Sequence, residues 1–234
     1  MDKEKSSYKH QKQYYDGVWS DAAIKKLSLD QICRREFIVN SIRLIKSESN
    51  HALHIIDLGC GSGWITDLLS EYGDVVGVDL SVNVARKLYP NLMFKEANVV
   101  TDNIDGEYDV IISSEVIEHF SPEDQGTYVK KAYELLGEAS YLILTTPNRP
   151  KTLQSSQPIE NRLDKISLNS LLAPYFLVKS FGSVYFRPYF VRKNRYFTFI
   201  FNFLYTHLRL YKLLDQAFKT SSQGVYLTVI AQKR

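Results

Sequence analysis

Apolar residues in this chain follow two different rhythms. Up to about residue 49 they recur at helical spacing, with Leu29, Ile32, Cys33, Phe37, Ile38, Ile42 and Ile45 on one stripe. That predicts a helical N-terminal segment over residues 1–50. Beyond it, short apolar runs stopped by glycine or polar residues alternate with helical stretches. Residues 54–58, 74–80, 92–96, 108–113 and 141–144 read as buried strands, with helices predicted over 64–72, 82–88, 122–136 and 167–172. Residues 177–185 alternate like a strand, and 225–231 supply the last one. Strand and helix alternating this regularly predict an α/β fold: a largely parallel sheet with helices on both faces and ligands beyond the C-terminal strand ends. One stretch breaks the rhythm, an insertion ahead of the last strand. The predicted division is 51–186 with 224–234 as the core domain and 187–223 as a helical insertion.

Composition narrows the class only modestly. With 234 residues, 44% of them hydrophobic and 24% charged, the chain suits one ordinary α/β domain. A net charge of +3 is too small to argue for a nucleic-acid partner. The polar start MDKEKSSYKHQKQ lacks the apolar stretch of a signal peptide, and the most apolar run, 196–205, is about half a bilayer span. Cys33 and Cys60 are far apart without metal-ligand spacing, so the expectation is two reduced thiols in a cytoplasmic protein.

The chemistry begins where the first predicted strand ends. Asp57-Leu58-Gly59-Cys60-Gly61-Ser62-Gly63 leads into a helix, where glycines allow a tight turn and a helix N-terminus offers N–H groups to a polar ligand. Asp79 ends the next strand twenty residues after the first glycine, where a carboxylate can hydrogen-bond ribose hydroxyls. A dinucleotide site is the competing reading. Its fingerprint requires G-x-G-x-x-G, whereas here Gly59, Gly61 and Gly63 are followed by Trp64, Ile65 and Thr66.

IIDLGCGSGWIT, VVGVDLS and YDVIISSEVIEHF, in this order and spacing, resemble the motifs of class I S-adenosylmethionine-dependent methyltransferases, with a leaning to the quinone-pathway and small-molecule O-methyltransferases. The resemblance is clear from about residue 55 to 148. It implies a Rossmann-like, doubly wound sheet of seven strands, mostly parallel with an antiparallel last strand. It also implies S-adenosylmethionine as cofactor and S-adenosylhomocysteine as product. By resemblance, Asp57, Gly59, Gly61 and Gly63 surround the methionine part, Asp79 holds the ribose and Leu80 packs on the adenine. Asn98 stands where many members carry an Asp for the adenine amino group, and an amide can accept that bond too. Ser114 and Glu115 line the pocket. Tyr14, in the segment Tyr14–Trp19, resembles a lid over the cofactor, with a hydrophobic staple on the first helix as the alternative.

For catalysis, His119 is the favoured general base because its ordinary pKa is near neutrality, with Glu118 beside it. Glu115, Glu118 and His119 also resemble a divalent-metal set of some O-methyltransferases. Those relatives add a later histidine, where this chain has Asn161-Arg162, so metal is not the favoured reading. The alternative is that Glu118 and His119 orient the following loop.

In the insertion Arg187, Arg192, Lys193, Arg195, Arg209 and Lys212 alternate with aromatics, and 194–218 can form one amphipathic helix. Packing on the domain or a second subunit, a lid over the acceptor and peripheral membrane contact are its three readings. Nucleic acid is not favoured. The expected activity is methyl transfer to a hydroxyl, less readily an amine, of a small or carrier-linked acceptor, by a monomer or homodimer. Sugars, glycan intermediates and specialised metabolites fit, and a quinone-type acceptor at a membrane surface is an alternative. A catalytically silent cofactor-binding subunit is the reading from another class.

Overall fold

The computed structural model describes residues 27–148, 161–186, 195–207, 213 and 223–234. Helix α1 (Leu29–Glu48) opens it, with the Ser28 N–H donating to Gln31 Oε1 at 2.9 Å to cap the first turn. Then follow β1 (Leu53–Leu58), α2 (Trp64–Leu69), β2 (Gly73–Asp79), α3 (Asn83–Leu88), β3 (Met93–Glu96) and β4 (Tyr108–Ser114). A 3₁₀ turn (Ile117–His119) leads to α4 (Pro122–Leu135), β5 (Leu136–Pro147), α5 (Lys165–Leu172), β6 (Phe176–Val184), α6 (Arg195–His207) and β7 (Tyr226–Lys233).

The seven strands form one sheet in the order β3-β2-β1-β4-β5-β7-β6, parallel except for β7, which runs antiparallel to both neighbours. This is the doubly wound, Rossmann-like α/β architecture that the sequence pattern predicts. The strand period of two sorts the core into two layers. Ile55, Val110, Ile112 and Ile143 face α1 and α2, packing on Ile38, Ile42, Ile65 and Leu69. Ile56, Ile111, Leu142 and Leu144 face the other way, against Tyr128, Ala132, Leu168 and Leu172 of α4 and α5. Burial on both faces explains why these strands read as unbroken apolar runs.

Two elements differ from the predicted extent by three residues or more. Strand β5 starts at Leu136 rather than 141, pairing Leu136 with Tyr108 before a register shift. Helix α2 stops at Leu69, where the prediction ran to 72. Of the long insertion helix, α6 is described over Arg195–His207, and most of the remainder lies outside the described residues.

Candidate active site

Strands β1, β2 and β4 and the loops after them converge on one edge of the sheet. The turn after β1 has positive φ at Gly59, Gly61 and Gly63 (80°, 53° and 83°). Two of these glycines answer to packing as well. A Cβ on Gly59 would stand 2.4 Å from Val116 Cγ2, and one on Gly63 would stand 2.9 Å from Phe94 Cζ. The loop after β4 is therefore seated directly on the glycine turn, which only a residue without a side chain permits.

Asp79 ties the turn to β2. Its Oδ2 accepts from the Gly61 N–H at 2.9 Å and its Oδ1 from the Ser81 N–H at 3.0 Å. Burial raises the pKa of this carboxyl, while the N–H bonds from Ser81 and Gly61 act against the rise. A carboxylate has about four acceptor sites, and backbone N–H groups of Ser81, Gly61 and Leu80 use part of them, leaving the rest to a ligand. Asp57 lies deeper, 1% exposed, accepting from Thr66 Oγ1 at 2.7 Å. Burial, opposed by the Thr66 bond and reinforced by the Asp79 charge, pushes it up to about 7.

Between these elements lies an open pocket of about 280 Å³. Gly59, Asp79, Leu80, Asn98, Glu115 and His119 line it, six of the residues singled out from sequence. Ala97, Val99 and Val100 add an apolar wall, and Phe120, Ser121 and Asp124 close the far side. Asn98 faces a constraint that the sequence could not show. Its Oδ1 already accepts from the Val100 and Thr101 N–H groups, at 2.9 and 3.3 Å, leaving Nδ2 as its side-chain donor.

Ser114, Glu118 and Gly63 are placed differently. Ser114 Oγ pairs with Thr145 Oγ1 at 2.9 Å, in the core of the sheet edge. Glu118 is 2% exposed and accepts from Thr146 Oγ1 at 2.9 Å, so it reaches back to β5. Gly63 serves the packing of Phe94 and Ala85. No group of three or more His, Cys, Asp or Glu side chains is placed to hold a metal ion among the described residues. Where a later histidine would be needed, Asn161 acts as a clip: its N–H donates to Glu118 O at 2.7 Å and its Nδ2 to Phe120 O at 2.8 Å. Tyr14 lies outside the described residues.

The structure adds a charged cluster that the sequence reading missed. Arg34 on α1 is 8% exposed and reaches Asp30 Oδ2 at 3.2 Å, Ser114 Oγ at 3.5 Å and Glu115 Oε1 at 3.9 Å. Its guanidinium stacks over Tyr226, 4.8 Å from the ring centre, and Tyr226 in turn donates to Asp30 at 3.2 Å. Burial would lower the Arg34 pKa, but Glu115, Tyr226 and Asp30 together raise it above its ordinary value. Arg34 Nε is buried with no hydrogen-bond partner. Glu115 itself sits at φ 61°, a left-handed conformation that a non-glycine residue adopts at a cost of about 1–2 kcal/mol. Its N–H donates to Thr145 O at 3.0 Å, which holds the turn there. The one local signal for this cluster was Asp30 four residues before Arg34 on a helix.

A family of methyltransferase domains matches residues 34–211, most of the chain, and the protein belongs to that family. It is 29% identical over 125 residues to the ubiquinone biosynthesis O-methyltransferase of Coxiella burnetii, covering 48% of this chain and 52% of that one. The chain spans about half or less of the length of the curated relatives it matches. Among solved structures, it resembles magnesium protoporphyrin IX methyltransferase of Synechocystis with bound S-adenosylmethionine (TM-score 0.64, 15% identity, 97% of each chain). It also resembles the N-methyltransferase NodS of Bradyrhizobium japonicum with S-adenosylhomocysteine (TM-score 0.62, 11% identity, 94% of this chain and 97% of that one). At such identities the structural likeness establishes the fold alone.

Proposed function

We propose that this protein is an S-adenosylmethionine-dependent methyltransferase acting on a hydroxyl of a small or carrier-linked acceptor in the cytoplasm. The observation that carries the reading is a pocket at the C-terminal strand edge in which Gly59, Asp79, Leu80, Glu115 and His119 meet. The residues fit the cofactor. Asp79 has acceptor capacity left for a ribose hydroxyl, and Leu80, Ala97 and Val99 suit an adenine ring, with Asn98 Nδ2 available to a ring nitrogen. Arg34 and Glu115 are a cation and an anion 3.9 Å apart. They complement a zwitterionic amino acid, with Glu115 on the pocket wall the candidate partner for its ammonium and the Arg34 cation just behind it.

When bound, the sulfonium supplies an electrophilic methyl group, so the protein needs only to align an acceptor and handle a proton. Transfer of that methyl to the acceptor oxygen would leave the cofactor as a neutral thioether, so the protein's own task is the acceptor's position and its proton. His119 takes the hydroxyl proton. Glu118, bonded to Thr146 and clipped by Asn161, fixes the turn that presents His119, a positioning role. This division makes metal unnecessary. Oxygen is favoured over nitrogen by the acid-and-histidine turn. Residues 187–223 are the candidate wall of the acceptor site.

The test is release of S-adenosylhomocysteine with a panel of nucleotide sugars, glycosides, phenols and quinols. Turnover on a hydroxyl acceptor is expected. His119→Ala should lower kcat by about 100-fold or more while leaving S-adenosylhomocysteine affinity within about three-fold. Tight cofactor binding with no turnover on any acceptor would instead identify a silent cofactor-binding subunit, and unchanged kcat in His119→Ala would remove the base assignment.

A further inference from the structure

Helix α6 has two unlike faces. On its inner side Tyr205 is fully buried, stacked on Phe201 with ring centres 5.0 Å apart and set edge-on to Tyr185 at 5.9 Å. With Cys33 and Val184 this cluster fastens the helix to α1 and the end of β6. On its outer side Tyr196, Phe199, Ile200, Phe203 and Leu204 are exposed, by 82%, 73%, 50%, 51% and 37%. Their spacing of three and four residues makes one continuous stripe. Leu213, farther along, is 64% exposed as well. Aromatic and aliphatic side chains this exposed and this contiguous mark an interaction surface.

Charge selects the partner. Residues 187–223 contain seven Lys and Arg against one acidic residue, Asp215, a net of +6 in a chain whose total is +3. The rest of the chain is therefore net −3. A second copy docking through this face by a twofold axis would set the same cations against themselves. A nucleic-acid strand would use the cations and the rings but leave Ile200, Leu204 and Leu213 in water. Both features are matched by a bilayer surface carrying anionic phospholipid, which accepts apolar side chains below the headgroups and attracts Lys and Arg at their level. The geometry agrees. Thirteen residues of helix extend ~20 Å, short of the ~30 Å hydrocarbon core, and no described helix is long and apolar enough to cross a membrane.

We propose that α6 and its basic flanks dock the protein on an anionic phospholipid bilayer, the helix lying flat with Phe199, Ile200, Phe203 and Leu204 in the interface. The docking is independent of the methyl-transfer reading, since it concerns the outer face of α6. It nonetheless has a short path to the pocket: the inner face packs on the cluster that includes Tyr226, and Tyr226 stacks on Arg34, the ion-pair partner of Glu115.

The experiment is flotation of the full chain with vesicles of phosphatidylcholine alone and of phosphatidylcholine with about one-third phosphatidylglycerol. Flotation is expected with the anionic vesicles only, and should weaken between about 0.1 M and about 0.5 M salt. Phe199→Ser with Ile200→Ser should lower the partition coefficient about ten-fold or more. Arg192→Gln and Lys193→Gln should each lower it about five-fold. Phe199→Trp, at an exposed site, should shift its emission to the blue on adding the anionic vesicles whatever the stability of the serine variants. Equal flotation with both compositions, none with either, or wild-type flotation of the double serine variant would overturn the proposal. So would a dimer in light scattering that dissociates in the double serine variant, or salt-sensitive binding of single-stranded RNA with no vesicle binding.

Discussion

The glycine turn after β1 and helix α6 lie at the same edge of the sheet, yet they treat their side chains in opposite ways. At the turn, nearly every group has a partner. Asp79 holds the Gly61 and Ser81 N–H groups, Asp57 holds Thr66, and Val116 fills the space that a Cβ on Gly59 would occupy. Along α6, one face is packed and the other presents aromatic and aliphatic side chains to the outside. The first is a preformed cradle, rigid because its backbone is held by buried carboxylates. The second is a surface whose large side chains contribute little to folding. The difference teaches where to look for each half of the function: the proposed cofactor site belongs to the rigid turn, and the proposed docking surface belongs to the exposed face.

Mutations can break that contrast. The largest effect is expected at Gly59. Gly59→Ala forces a Cβ to 2.4 Å from Val116 Cγ2 at a φ of 80°, which overpacks the loop and strains the backbone by about 3 kcal/mol together. Urea unfolding measures it, and Val116→Ala in the same chain should recover the overpacking part only. A loss under about 1 kcal/mol would mean that the loop after β4 is not seated as described.

A second effect is in pH. Asp57 keeps its proton up to about 7 in the folded protein, while an unfolded Asp releases it near 4. Between those values the folded state binds the extra proton, so stability is highest at the acid end and falls as pH rises through about 7. Three pKa units correspond to up to about 4 kcal/mol over that window. Asp57→Asn should flatten this slope in thermal unfolding of the ligand-free protein; a slope left intact would assign it elsewhere. The smallest effect is expected on α6. Phe199→Ser, at 73% exposure, should change stability by no more than about 0.5 kcal/mol, whereas the same change at a buried core phenylalanine costs several-fold more. A large loss at Phe199 would show that the outer face is packed in solution.

What could be read from sequence follows the same division. Strands β1, β2, β4 and the main part of β5 were legible because burial on both faces leaves an apolar run, and the glycine turn because its backbone demands glycine. The start of β5 was not, since Gly137, Glu138 and Ser140 are polar or small and Ala139 takes φ 59°, so the pairing of Leu136 with Tyr108 leaves no periodic trace. The pocket set was legible down to His119, but not which acid faces it. Glu118 lies in a 3₁₀ turn whose direction depends on Thr146 and Asn161, distant in sequence. The Arg34 cluster was invisible for the same reason: its partners Glu115 and Tyr226 come from the far ends of other strands.

The central claim is that the turn and Asp79 together form a site for S-adenosylmethionine, and titration calorimetry with S-adenosylhomocysteine tests it most directly. The wild-type chain should bind one equivalent, and Asp79→Asn should weaken binding about 100-fold, as expected for losing charge-assisted bonds to ribose hydroxyls; its melting temperature should fall as well, because an amide keeps only one of the two oxygens that accept from the Gly61 and Ser81 N–H groups. No binding by the wild type, or equal binding by wild type and Asp79→Asn, would contradict it.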